Sequence, residues 1–291
     1  MNLNTLSNSG PVLTDGAWGT ELQKRGLPVG ACPDLWNVEF PELVAGVARS
    51  YVQAGSAIIL TNTFGANAIV LARHGLSDRA AELARAGAEI SRAEAGSEVR
   101  VFGSMGSTGA LLLMGEVSEA ELAEVYLTQA RALAEGGVDA LLLETMTDLD
   151  ETLIALAAAK STGLPVAVSM VFDSGEDGAS TMMGLHARAA AAELERAGAD
   201  IIGANCGTGI ADALPVCRIL RAGTSRPVWM KPNAGLPEIS DGRILYSATP
   251  ESFAAGVRAL VDAGASYVGG CCGTTPEHIA RAWAELQKVD G

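Results

Sequence analysis

The sequence predicts an α/β fold built as a single (β/α)8 (TIM) barrel, and three observations carry that expectation. Eight short apolar runs, at residues 12–15, 57–62, 99–104, 140–144, 165–172, 201–205, 227–232 and 267–272, alternate with longer stretches of helical period. Such runs suit strands buried on both faces of a parallel sheet. The pairs Ala54-Gly55, Gly136-Gly137, Ala197-Gly198 and Ala263-Gly264 each close a helical stretch just before the next strand. The eight units span ~250 residues, the usual length of such a barrel.

The elements follow in order. Between the strands lie Ala/Leu/Glu/Arg-rich segments, including 119–136, 149–160, 187–197, 250–263 and 276–288. Their apolar residues recur at i, i+3 and i+4 among strong helix formers. A doubly wound open sheet is the competing architecture. It lacks support, because no G-x-G-x-x-G follows the first strand and no G-x-x-x-x-G-K-[ST] occurs. No linker or composition shift divides the chain, so residues 1–291 are expected to form one domain, with a short flexible segment at about residues 1–10.

Composition narrows the function classes. Of 291 residues, 48% are hydrophobic and 19% charged, enough apolar content for a sizeable core. Twenty basic against 34 acidic residues give a net charge of −14, which argues against nucleic acid or an anionic membrane as partner. The polar start MNLNTLSNSG has no signal-peptide h-region, and the uncharged stretch 50–72 is broken by Gln53, Asn62 and Asn67. Five cysteines, an odd number in a chain of this length, do not read as a disulfide scaffold. A cytoplasmic protein with reduced thiols is expected; the oligomeric state is left open.

Chemistry in such barrels sits where strands end. Asp15, Thr61–Asn62, Ser104, Glu144, Asn205–Cys206, Asn233 and Cys271–Cys272 all fall at predicted strand ends. Cys206 lies in GANCGTG and Cys271–Cys272 in GGCCGTTP, on strands separated by one other, so three thiols meet at the carboxyl face. Three thiolates bind Zn²⁺ and leave a fourth tetrahedral position open. Gly207, Gly269, Gly270 and Gly273 allow the backbone to bend there. On spacing alone, buried small hydrophobes or a strained vicinal disulfide stand beside the metal reading. Cys32 and Cys217 lie outside the pattern and read as core thiols. The three histidines are dispersed, and His278 reads as an ordinary residue of the last helix.

These motifs make the chain resemble the homocysteine S-methyltransferase family over almost its full length. The matching segments are DGAWGT at 15–20, TNTFG at 61–65, Glu144-Thr145, GANCG at 203–207, PNAGLP at 232–237 and GGCCGTTP at 269–276. The resemblance implies that Cys206, Cys271 and Cys272 hold zinc. It implies that Asp15 and Glu144 grip the amino group of homocysteine and that amides around Gly16–Ala17 receive its carboxylate. Asn233 and Asn205 are expected to orient loops or contact substrate. Asp148, Asp150 and Glu151 read as first-turn helix acids.

The resemblance leaves the methyl donor open between a small onium compound, such as a betaine or S-methylmethionine, and a corrinoid protein acting in trans. The chain ends soon after the eighth unit, so no appended cobalamin domain is expected, which places the onium donor slightly ahead. Aromatic faces hold quaternary ammonium groups; Trp18, Trp36, Phe64, Phe172 and Tyr246 are the candidates. Betaine-using relatives carry an aromatic residue after the strand-4 acid, where this chain has Thr145, while PNAGLP is more like the homocysteine module of cobalamin-dependent synthases. Two further readings are a Schiff-base lyase using Lys231, whose place before a proline better suits a salt bridge, and a non-catalytic zinc-binding subunit.

Overall fold

Parallel pairing joins eight strands into one sheet in a computed structural model that describes residues 10–240 and 243–288. The strands are β1 (Val12–Leu13), β2 (Ile58–Leu60), β3 (Arg100–Gly106), β4 (Ala140–Met146), β5 (Val166–Met170), β6 (Ile201–Cys206), β7 (Val228–Pro232) and β10 (Tyr267–Val268). Their spatial order is β1-β10-β7-β6-β5-β4-β3-β2, and a parallel bridge from Thr14 to Ile58 closes the ring. The expected barrel is therefore present, with each of the eight strands inside or overlapping its anticipated run. The flexible segment expected at the amino terminus falls on residues 1–9, outside the described residues.

Period-2 alternation builds two cores. One set of strand residues faces the surrounding helices, with Val101, Leu141, Leu143, Val168, Ile202 and Met230 in a single large cluster. The alternate set points into the barrel, with Val12, Ile58, Leu60, Phe102, Ala140, Leu142, Ala167, Ile201, Trp229 and Tyr267 forming a second cluster. Three aromatic residues fill its centre: Trp229 stacks on Phe102 and tilts against Tyr267, each at 5.8 Å between centroids. Aromatic residues are scarce in this chain, and three of the bulkiest plug the barrel floor.

Helix ends obey the local signals. Gly55, Gly137, Gly198 and Gly264 follow the helices Pro41–Gln53, Glu119–Glu135, Ala187–Arg196 and Pro250–Asp262, all with φ between +86° and +103°. Only glycine reaches that region without strain. The GTTP segment caps the last helix: Thr275 accepts from His278 N, Pro276 occupies the first turn, and the His278 ring reaches Ala248 O at 3.0 Å. His278 is thus a capping residue.

Two departures matter for the site. The eighth barrel strand ends at Val268, so Cys271 and Cys272 lie on a turn beyond it. An antiparallel hairpin, β8 (Pro237–Ser240) with β9 (Arg243–Tyr246), rises after β7 and was not anticipated. Each of its strands has only four residues, too few for a periodic signal to announce it. Among the described residues, no helix is long and apolar enough to cross a membrane.

Candidate active site: a three-thiol cluster at the barrel mouth

The site stands one alternation above the apolar floor. Two residues beyond Phe102, Leu142, Ala167 and Trp229, the inward positions become Ser104, Glu144, Ser169 and Lys231. A strand that feeds the core with one side chain therefore feeds the site with its next inward neighbour.

Cys206 ends β6, and Cys271 and Cys272 follow β10; their sulfurs all lie within 4.8 Å of one another. Cys206 Sγ stands 3.0 Å from Cys271 Sγ. Cys206 adopts φ +61°, a left-handed conformation rarely used by a residue with a side chain. That unfavourable backbone is held by Cys206 O, which accepts from Asn233 N, and by Asn233 Nδ2 donating to Gly207 O at 2.6 Å. Thr145 shares the same φ of +61°, at a shift in the β4–β5 register, and the two hydroxyl and thiol groups face each other at 3.9 Å.

Asn205 ties these pieces together. Its Oδ1 accepts from Thr145 N at 2.9 Å and Ser169 Oγ at 2.7 Å. Its Nδ2 donates to Thr145 Oγ1 at 2.8 Å and points at Cys206 and Cys271 sulfurs at 3.5 and 3.8 Å. Glycine is needed at two places around the cluster. A Cβ on Gly269 would lie 2.0 Å from Thr14 Oγ1, and one on Gly273, at φ +82°, would lie 2.1 Å from the Tyr246 ring. Tyr246, delivered by the unanticipated hairpin, hydrogen-bonds Cys272, and burial beside the thiols pushes its phenol up to about 12.

The donor set fits a soft metal ion. Three sulfurs this close cannot all ionise unaided: accepting hydrogen bonds from Cys206 and Cys271 draws the Cys272 thiol down, and donating to Cys271 pushes Cys206 up. A divalent cation removes that conflict. Beside the cluster, Asn233 Oδ1 is buried without a hydrogen-bond partner.

A cavity of about 530 Å³ opens on the cluster. Its wall includes Gly16, Ala17, Trp18, Phe64, Ser104, Glu144, Thr145, Lys231, Tyr246 and the three thiols. Burial pushes the Glu144 carboxyl up to about 7, against the Lys231 charge and a hydrogen bond from Ser104 that favour its ionised form. Lys231 is buried: desolvation pushes its ammonium down, but the negative charges of Asp15 and Glu144 outweigh it and raise the pKa. A lysine held protonated in this way is a poor Schiff-base nucleophile.

Not every anticipated residue reaches the cavity. Asp15 is 0% exposed, and its oxygens accept from Lys231 Nζ, Trp18 Nε1 (2.7 Å) and Leu60 N (2.7 Å). Ala17 N is given to Thr274 Oγ1 at 3.1 Å. Asn233 stands behind the wall, on the cluster's backbone. Of the candidate aromatics, Trp18, Phe64 and Tyr246 line the cavity, whereas Trp36 and Phe172 are buried elsewhere. Glu151 is more than a helix-end acid: it is buried and accepts from Ser107 Oγ, Thr108 N, Thr108 Oγ1 and Tyr126 OH, pinning the loop after β3.

Asp34 sits on the far wall, where it accepts from Gly65 N at 3.1 Å and contacts Cys32 Sγ. Burial pushes its carboxyl up to about 6. A carboxyl with a folded pKa above its unfolded value favours the fold while protonated, so this contribution is present below pH ~4 and lost as pH rises through about 6. Asp34→Asn is therefore expected to gain up to about 3 kcal/mol on the parent at pH 7.5 and little at pH 4. Denaturant melts of both proteins at the two pH values check this; an equal gap at both would contradict it.

Fold and site together define a (β/α)8 barrel with a three-thiol cluster able to hold a metal ion and a charged, partly aromatic cavity at its mouth. Residues 12–286 match the homocysteine S-methyltransferase family, and the chain belongs to that family. It is 32% identical to the methionine synthase of Mycobacterium tuberculosis and 31% identical to that of Mycobacterium leprae, over 94% and 95% of this chain. In both comparisons the chain spans 24% of the length of the relative. Among solved structures, the homocysteine methyltransferase MmuM from Escherichia coli in its metallated form superposes with a TM-score of 0.81 at 24% identity. That match covers 98% of this chain and 99% of the other. The oxidised form of the same protein gives 0.80 at 25% identity, with the same coverage.

Proposed function

We propose that the protein is a zinc-dependent methyltransferase that moves a methyl group to the sulfur of homocysteine, yielding methionine. The observation that carries this reading is the convergence of Cys206, Cys271 and Cys272 on the cavity wall, within ligand distance of one another. When held by these cysteines, zinc supplies Lewis acidity that keeps a thiol substrate ionised at neutral pH. Its identity as zinc is favoured by an all-thiolate donor set.

The chain's own residues do the rest. Asn205 Nδ2 directs a hydrogen bond at the ligand sulfurs and fixes their orientation. Glu144, at the cavity wall, offers a carboxylate to the substrate ammonium. Gly16 lies at the same wall, where a Cβ would come within 2.8 Å of Thr274 Oγ1 and the Tyr51 hydroxyl, so glycine lets this loop pack against them. The sulfur lone pair forms the new S–CH3 bond as the methyl-to-donor bond breaks and its electron pair leaves with the donor. The thiol proton departs to solvent. Reduced ligand thiols suit a reducing cytoplasm.

For the donor, a small onium compound is supported by Trp18, Phe64 and Tyr246 around a cavity large enough for two small molecules. A corrinoid protein in trans is the second reading, favoured by the likeness to methionine synthases. The isolated chain, loaded with zinc and homocysteine, should form methionine from S-methylmethionine or a betaine. Methionine formed only with a methyl-corrinoid protein present would select the second reading. No methionine from either would overturn both and leave a binding subunit.

A further inference from the structure

Of the aromatic side chains on the cavity wall, Trp18 and Tyr246 are each anchored by a polar atom. Trp18 Nε1 donates to Asp15 Oδ2 at 2.7 Å, and Tyr246 hydrogen-bonds Cys272. Phe64 carries no polar atom in its side chain, so packing alone places its ring. That ring is 45% exposed, and it rests on the backbone of Gly106.

A Cβ built on Gly106 would lie 2.5 Å from both Cε2 and Cζ of Phe64 and 2.7 Å from Cδ2. Glycine is not required there for its backbone, because Gly106 is a strand residue of β3 and lies outside the left-handed region. What it supplies is space. Phe102 points into the barrel, and alternation makes Ser104 and then Gly106 the next inward positions of β3. The Phe64 ring therefore stands where β3 omits a side chain, between the strand and the cavity that Phe64 lines.

The backbone on both sides is tied down. Gly106 N donates to Phe64 O at 2.9 Å, and the Tyr126 hydroxyl reaches Gly106 O at 3.2 Å and Glu151 Oε1 at 2.8 Å. Flanking Phe64, Gln129 Nε2 donates to Thr63 O at 2.7 Å and Gly65 N donates to Asp34 Oδ1 at 3.1 Å. The ring is thus the part free to move. Carbon atoms meet at about 3.5–4.0 Å, so a methyl group at position 106 drives the ring edge about 1 Å toward the cavity.

We infer that Gly106 is a positioning residue for the methyl donor: its bare backbone sets the Phe64 ring back, and that setback makes the room taken by the donor's onium head group. This inference rests on the methyl-transfer reading with an onium donor and adds the position that sizes the donor site.

The test uses the zinc-loaded full chain. Gly106→Ala is expected to raise KM for S-methylmethionine or glycine betaine by about 5- to 30-fold, with KM for homocysteine changed by no more than about twofold. In a Phe64→Leu background the same alanine change should alter the donor KM by no more than about twofold, because the smaller side chain yields to the methyl group. Equal losses for donor and acceptor, or an undiminished effect in the Phe64→Leu background, would overturn the inference. If Gly106→Ala melts low, adding Phe64→Leu should restore the melt. A melt that stays low shows that backbone rather than ring meets the methyl group, which also overturns it.

Calorimetric binding of tetramethylammonium without homocysteine separates this inference from the methyl-transfer reading. Weaker binding in Gly106→Ala, with the difference gone in the Phe64→Leu background, supports the seat even if no donor is turned over. An active enzyme whose donor KM and probe binding ignore Gly106→Ala refutes the seat and leaves methyl transfer standing. No probe binding to the parent, together with no turnover of an onium donor, refutes it as well.

Discussion

Cys206→Ala is expected to fold, to lose the zinc proposed for the three-thiol cluster and to lose methyl transfer with it. Alanine keeps the Cβ, so the φ of +61° costs no more than before, and the side chain is only partly buried. What disappears is one of three sulfur ligands in a cluster whose members crowd within 4.8 Å. A free thiol with a pKa near 8.5 is only a few per cent ionised at neutral pH, so losing the metal alone should slow transfer by at least about 30-fold. Cys271→Ala and Cys272→Ala should behave alike. Metal content by atomic spectroscopy, a thermal melt and methionine formation decide the matter. A zinc-free Cys206→Ala protein with full activity would remove the metal from the mechanism.

The second large effect is on stability. Asp15 and Lys231 form an ion pair with side chains 0% and 3% exposed. Breaking such a pair from one side leaves a charge stranded away from water, at about 3–5 kcal/mol. Asp15→Ala is thus expected to lower Tm by roughly 10 °C in a chain of this size. Lys231→Met should cost a similar amount, whereas Asp15→Asn/Lys231→Met should recover most of the loss, because no unpaired charge remains. A double-variant melt as low as the sum of the singles would show that the pair adds little beyond packing. The comparison also separates the structural role of Asp15 from any contact with substrate, since the double variant keeps Glu144 intact.

Much of the fold was legible because it rests on local rules. Strands buried on both faces read as apolar runs, and the four helix-ending glycines sit at the positive φ their positions demanded. The convergence of the three thiols was legible for the same reason: Cys206 and Cys271–Cys272 fall at or just beyond strand ends, flanked by glycines in specific motifs. The hairpin Pro237–Ser240/Arg243–Tyr246 was not legible, because two strands of four residues are too short to leave a periodic trace. With it went the placement of Tyr246 over Cys272.

The charged wall shows where sequence reasoning stops. Lys231 could be placed at a strand end and its position before a proline suggested a salt bridge, yet its partner lies 216 residues away. Asp15 and Glu144 are both acids ending short strands, and nothing in their own neighbourhoods separates them. Closing the barrel does: β1 and β7 flank β10, which brings Lys231 onto Asp15, while β4 holds Glu144 against Ser104 on the cavity side.

The sequence by itself determined the barrel, the order of its units and the identity of the three thiols, since each depends on residue type and short-range spacing. The tertiary structure alone decided which carboxylate is spent on an internal ion pair and which faces the cavity. That choice is made by distances across a closed sheet, and burial lets a charge persist only where its partner has been delivered.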